Sequence, residues 1–224
     1  MTGTAAVLPT GESVDAEPDA GGRYEPRFRA LLGASNWMAL PMPVRRRLAK
    51  LISGTTAAVY VGEVIETRMS FAGWLLAQAA RLIGGPLPIS RDAKTASVVT
   101  VTEDVAGQGQ HWTRLYARHR GFPQVIRTSK RFAGPTGLEE YIGCGLGMAL
   151  SVDVEHGLLS MRAAHYFLQI WRWRLMLPGW ASPGALAVTQ LNLDDGRFRF
   201  TLRISHPQLG SLIEQTAVFQ EVQP

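Results

Sequence analysis

The sequence predicts an α+β chain that is mostly β, an antiparallel meander curled into a lipocalin-like barrel or half-barrel. One helix covers it, and short helices stand at its N-terminal side. Three observations carry this. From Thr95 onward, β-branched and aromatic residues alternate with polar ones and are punctuated by short Gly- and Asp-rich turns. Residues 70–84 repeat apolar side chains at helical spacing instead. The turns are too short for crossover helices, so successive strands must run antiparallel.

The elements follow in order. Residues 1–23 are rich in Gly, Pro, Ala, Asp and Glu and read as a disordered tail without the apolar core of a secretory signal. Residues 24–224 read as a single β-rich domain enclosing a ligand cavity. Phe28, Leu31 and Leu32 form one helical stripe; Pro41 and Pro43 interrupt it; Val44, Leu48, Leu51 and Ile52 form a second. Val59, Val61, Glu63 and Ile65 alternate as a strand. Ser70 is placed to cap the next helix, whose apolar face runs through Phe71, Trp74, Leu75, Gln78 and Leu82 until Gly84-Gly85-Pro86 stops it.

The meander then runs through Ser97–Glu103, His111–Arg118, Phe122–Phe132 and Leu138–Ile142. A long hairpin of Leu146–Val154 with Leu158–Leu175 follows. Ala185–Leu193 and Arg197–Ser205 form another around Asp194-Asp195-Gly196, and a last strand lies near Val218. About eight or nine such strands suffice for a barrel that holds one small ligand.

Composition narrows the function. Of the 224 residues, 46% are hydrophobic, and the single cysteine leaves no disulfide framework and no Cys-rich zinc site. No run approaches the ~20 apolar residues of a transmembrane helix. The lone cysteine suggests a cytoplasmic protein. The net charge of +5 comes mainly from arginine, with only Lys50, Lys94 and Lys130 as lysines. The arginines are scattered, the Arg45-Arg46-Arg47 cluster reads as an exposed helix face, and no nucleic-acid motif appears, so no nucleic-acid partner is expected.

Several strings stand together in a familiar order: Leu31-Leu32-Gly33, Leu40-Pro41, Gly85-Pro86-Leu87-Pro88, His111-Trp112-Thr113-Arg114-Leu115-Tyr116 and Leu138-Glu139-Glu140-Tyr141-Ile142-Gly143. Leu177-Pro178-Gly179-Trp180, Asp195-Gly196-Arg197-Phe198 and His206-Pro207-Gln208-Leu209-Gly210 complete it. From about residue 26 to about 219 the chain resembles the bacterial family known as domain of unknown function 4166. The resemblance implies a globular, mostly β domain and brings no established chemistry. The chain departs from the family's pattern at Tyr141 and Cys144, where the family tends to read Glu-Arg-Phe-Gly-Pro, and near its end at Gln215–Phe219.

Trp112, Arg114 and Tyr116 share one strand face, and Glu140 stands on a nearby strand. An Arg–Glu pair beside aromatics could grip a carbonyl or carboxylate or transfer a proton, or be a structural ion pair. His165 lies in phase with Met161, Phe167, Trp171 and Trp173, with Tyr166 opposite; it is a candidate acid–base group or a core histidine. Trp171-Arg172-Trp173-Arg174 would place both indoles on one face, as a cavity floor, a core, or a membrane-surface segment. Met148 and Tyr141 join the candidate ligand-binding residues. Cys144 reads as a small buried residue, and Gly143, Gly145 and Gly147 as room for a ligand or for strand bending.

The candidate catalytic residues are therefore Glu140, Arg114 and His165, with Trp112, Tyr116, Tyr141, Met148, Trp171 and Trp173 binding ligand. No metal site and no cofactor are expected. The favoured reading is a cofactor-independent cyclase or isomerase acting on an apolar polyketide- or terpene-like molecule. Its alternatives are a non-catalytic carrier of lipid or another apolar molecule, and a membrane-surface accessory protein. The partner is the apolar small molecule, and a homodimer stays open.

Overall fold

A computed structural model describes residues 24–193 and 195–222. The tail expected at 1–23 lies outside the described residues, as does Asp194 of the Asp-Gly turn.

Helix α1 (Arg27–Ala39) kinks at Gly33, whose φ of 74° leaves the helical region, and α2 (Met42–Ala49) starts behind Pro41. Strand β1 (Ala58–Met69) leads into α3 (Phe71–Ala80), which continues as a 3-10 turn over Arg81–Ile83. The meander comprises β2 (Thr95–Asp104), β3 (Gly109–Tyr116), β4 (Gln124–Arg131), β5 (Glu139–Gly143), β6 (Leu146–Glu155) and β7 (Leu158–Ile170). After it come β8 (Trp173–Met176), β9 (Ala185–Asn192), β10 (Arg197–His206) and β11 (Gly210–Glu221).

All strand pairs are antiparallel. The order β6-β5-β4-β3-β2-β1-β11-β10-β9-β7 closes through a β6–β7 pairing into a ten-stranded barrel, with β8 added outside on β7. The sheet closes fully, so the barrel form of the expectation holds.

The expected single strand Leu158–Leu175 is broken. Trp171 takes a left-handed φ of 55° and turns the chain back, so β8 pairs with the last residues of β7. Lacking a glycine, this turn carries no composition signal. The Gly143-Cys144-Gly145 step is likewise a turn, with positive φ at all three residues, and Cys144 is exposed rather than buried.

The barrel has two distinct ends. At one, α1 and α2 pack over the β6 region, burying Phe28, Leu32, Trp37 and Val44 with Leu138 and Leu150. At the other lie α3, the 117–123 and 177–184 connections and the turns between β5 and β6, β7 and β8, and β10 and β11. Ser70 caps α3 as anticipated, its Oγ accepting from the Gly73 N–H at 3.1 Å. A glycine inside a helix costs about 1 kcal/mol of propensity. Here it permits contact: a Cβ at Gly73 would stand 2.0 Å from the Leu212 carbonyl oxygen, so α3 lies directly on β11.

Candidate functional site

The barrel encloses a cavity of about 460 Å³. Its walls are mainly apolar, including Val99, Ile126, Leu159, Phe198 and Phe219. Leu76, Ala80 and Ile83 line it at the α3 end, and Phe28, Arg47 and Leu48 at the α2 end. That volume falls within the usual range for small-molecule sites.

A polar cluster interrupts the mainly apolar wall. Period-two geometry carries Trp112, Arg114 and Tyr116 of β3 into the cavity together, as the sequence predicts. On β4, Thr128 and Lys130 face in, and the register sets Lys130 directly opposite Glu140 of β5. The Lys130 ammonium donates to Glu140 Oε2 at 2.6 Å, while Arg114 approaches Oε1 at 3.5 Å. The Thr128 hydroxyl accepts from Arg114 at 3.1 Å and helps to lower the Glu140 carboxyl. Both cations flank the Trp112 ring, 5.3 and 5.6 Å from its centroid, and the Trp112 indole N–H donates to Gln110. Lys130 is 5% exposed and Glu140 6%.

Burial alone would raise the Glu140 carboxyl; Lys130, Arg114 and the hydrogen bonds outweigh it and hold the group at about 2. Burial pushes the Lys130 ammonium down, against the pull of Glu140. The arrangement is unbalanced, with buried Lys130 and half-buried Arg114 sharing one carboxylate. Further along the wall, Arg47 lies over the Phe198 ring at 4.3 Å and donates to Asn192 at 3.2 Å. Burial raises the phenols of Tyr60 and Tyr166, and the Tyr166 hydroxyl donates to the Gly184 carbonyl at 3.0 Å.

Of the residues singled out from sequence, Glu140, Arg114, Trp112, Tyr116 and Met148 line this cavity. Tyr141, His165, Trp171 and Trp173 do not. Tyr141 points outward and donates to Glu139 at 3.1 Å. His165 is displaced by a bulge. Ala149 pairs with His165 but Leu150 with Ala163, so Ala164 is an extra residue that reverses the phase of β7. Met161 before the bulge and Tyr166 after it line the cavity, leaving His165 beside Phe167 on the outer surface. Trp171 sits in the β7–β8 turn and Trp173 on the outlying β8, both exposed.

Sequence reading missed Lys130 and Thr128. The stretch Arg127-Thr128-Ser129-Lys130-Arg131 is polar on both faces, so alternation alone does not say which face is inside. Among the described residues, no cluster of three or more His, Cys, Asp or Glu is placed to hold a metal ion. No helix among them is long and apolar enough to cross a membrane.

A search of curated proteins finds no match to this chain. The family comparison gives one, spanning most of the barrel from Leu40 at the end of the first helical segment to Phe219 in the last strand. By that match over residues 40–219, the chain belongs to the family described as Domain of unknown function (DUF4166).

Proposed function

We propose that the barrel binds an apolar small molecule carrying a carboxylate or carbonyl oxygen, and acts on it as a cofactor-independent cyclase or isomerase. The observation behind this reading is the excess of positive charge, two cations on one carboxylate, on a mainly apolar cavity wall. Burying a charge without a partner is costly, and a ligand oxygen would complete the set. Lys130 is held tightly by Glu140, whereas Arg114 meets it only at 3.5 Å and keeps most of its N–H donors for a ligand.

In this reading, Glu140 is a positioning group. Ionised throughout the neutral range, it fixes both cations. The apolar walls hold a flexible substrate in a reactive conformation. Arg114, supported by Lys130, stabilises negative charge gained by a carbonyl oxygen during isomerisation or ring closure.

A carrier without turnover is the second reading. It is favoured by the state of Glu140, the carboxylate among the described lining residues, which titrates far below the range useful to a general acid or base.

Native mass spectrometry of freshly purified protein, followed by denaturing extraction, tests both. An apolar acid or ketone should co-purify, and incubating that compound class with the protein should yield an isomer of equal mass. Recovery of the compound unchanged would establish the carrier instead. A barrel that neither retains nor takes up apolar acids or ketones would overturn both.

A further inference from the structure

The α3 end of the barrel has a surface the cavity does not explain. Large apolar side chains stand exposed there on separate segments: Phe71, Trp74 and Leu82 with the α3 segment, Phe122 between β3 and β4, Trp171 in the β7–β8 turn, and Trp180 between β8 and β9. The exposures of Leu82, Phe122, Trp171 and Trp180 are 86%, 91%, 95% and 87%. Helix α3 is apolar on both sides. Gly73 and Ala77 rest on the barrel, Leu76 and Ala79 line the cavity, and Phe71, Trp74 and Leu75 face outward. Soluble monomers seldom group so many large side chains without using them.

Charge indicates what meets this surface. The connections at this end expose Arg81, Arg91, Lys94, Arg120 and Arg172, and Asp92 is the single acidic residue within residues 70–94, 117–123, 143–146, 171–172, 177–184 and 206–210. A second copy of the same end would set these cations against one another. An anionic lipid surface would accept both components, with arginines at the phosphates and Trp and Phe tips at the acyl boundary.

We infer that the α3 end docks the protein onto an anionic membrane surface. The inference is independent of ligand turnover, because the side chains involved point away from the cavity.

Sedimentation with vesicles of phosphatidylglycerol and phosphatidylcholine, beside vesicles of phosphatidylcholine alone, tests it in the full chain. The protein should pellet with the anionic vesicles, less so at high salt, and its tryptophan emission should shift to the blue. Combining Phe122→Ser, Trp171→Ser and Trp180→Ser changes fully exposed tips and should reduce partitioning at least tenfold. Arg120→Glu with Arg172→Glu should do the same, and Met38→Ser at the other end should not. Failure to pellet with anionic vesicles, or pelleting that the triple variant leaves unchanged, would overturn the proposal. A dimer in analytical ultracentrifugation that the triple variant dissolves would overturn it too, assigning the surface to a second copy.

Discussion

Glu139 and Glu140 are adjacent on β5, both buried, and face opposite sides of the barrel wall. Outside, Glu139 meets one guanidinium, Arg174 of β8, and accepts from Tyr141. Arg131 is matched the same way to Asp104, and it lies over the Tyr141 ring. Inside, Glu140 serves two cations. The outer set is balanced and can be read entirely as a device that fastens β8 to the barrel. The inner set carries spare positive charge against an apolar void. Burial and ion pairing are common to both, so neither distinguishes the two sets; the charge imbalance does, and the proposed ligand site rests on it.

The largest expected effect separates the two glutamates. Glu140→Gln leaves buried Lys130, and Arg114 beside it, without an anion, and should cost about 3–5 kcal/mol in urea unfolding. Adding Lys130→Met should recover part of that loss. Glu139→Gln should cost less, on the order of 1–2 kcal/mol, because Arg174 reaches solvent and Tyr141 can still donate to the amide oxygen. Equal losses would mean that the inner and outer glutamates are held alike.

Acid titration reads the inner glutamate separately. Glu140 ionises near 4.5 when unfolded and at about 2 in the barrel, so its contribution is complete above pH 4.5 and is lost as pH falls towards 2. The loss amounts to about 3 kcal/mol. Asp104 and Glu25 are also depressed and act in the same direction. The difference between wild type and the Glu140→Gln, Lys130→Met double variant in acid unfolding isolates the inner pair. Parallel curves would remove Glu140 from the balance.

The third effect concerns binding. Arg114→Met should weaken retention of a fluorescent polyene fatty acid about tenfold, roughly 1.4 kcal/mol. Arg174→Met on the outer face should leave retention unchanged. A polyene alcohol of the same length should lose much less in Arg114→Met than the acid does. If acid and alcohol respond alike, the inner charge excess does not read the ligand.

How much of this was legible in the sequence follows from what alternation can carry. Strand β3 keeps strict period two, so the shared face of Trp112, Arg114 and Tyr116 could be read directly. Ser70 and Gly84 bounded α3 through local chemistry. The pairing of Lys130 with Glu140 depends on the register between β4 and β5, which no local pattern specifies. The orientation of His165 turns on one extra residue, Ala164, and the exposure of Trp171 on a turn built without glycine. In the last two cases a local irregularity of one or two residues decided which way a side chain points. Such irregularities are invisible to periodicity, which assumes that the phase persists.

The smallest effect tests the outer set alone. Tyr141→Phe removes one hydroxyl that donates to Glu139, beside the Arg131 guanidinium lying 4.3 Å from its ring centre. The phenyl ring keeps the cation contact and the edge packing on Phe167, so only the hydrogen bond is lost, about 1 kcal/mol. Glu139 retains Arg174, so no buried charge is stranded. Thermal unfolding should therefore shift slightly downward, while fatty-acid retention stays at the wild-type value, because nothing inside the barrel has moved. A change in retention would mean that the two faces of β5 communicate through its backbone. The adjacent glutamates would then form one coupled unit, and the outer set could no longer be read as a fastening alone.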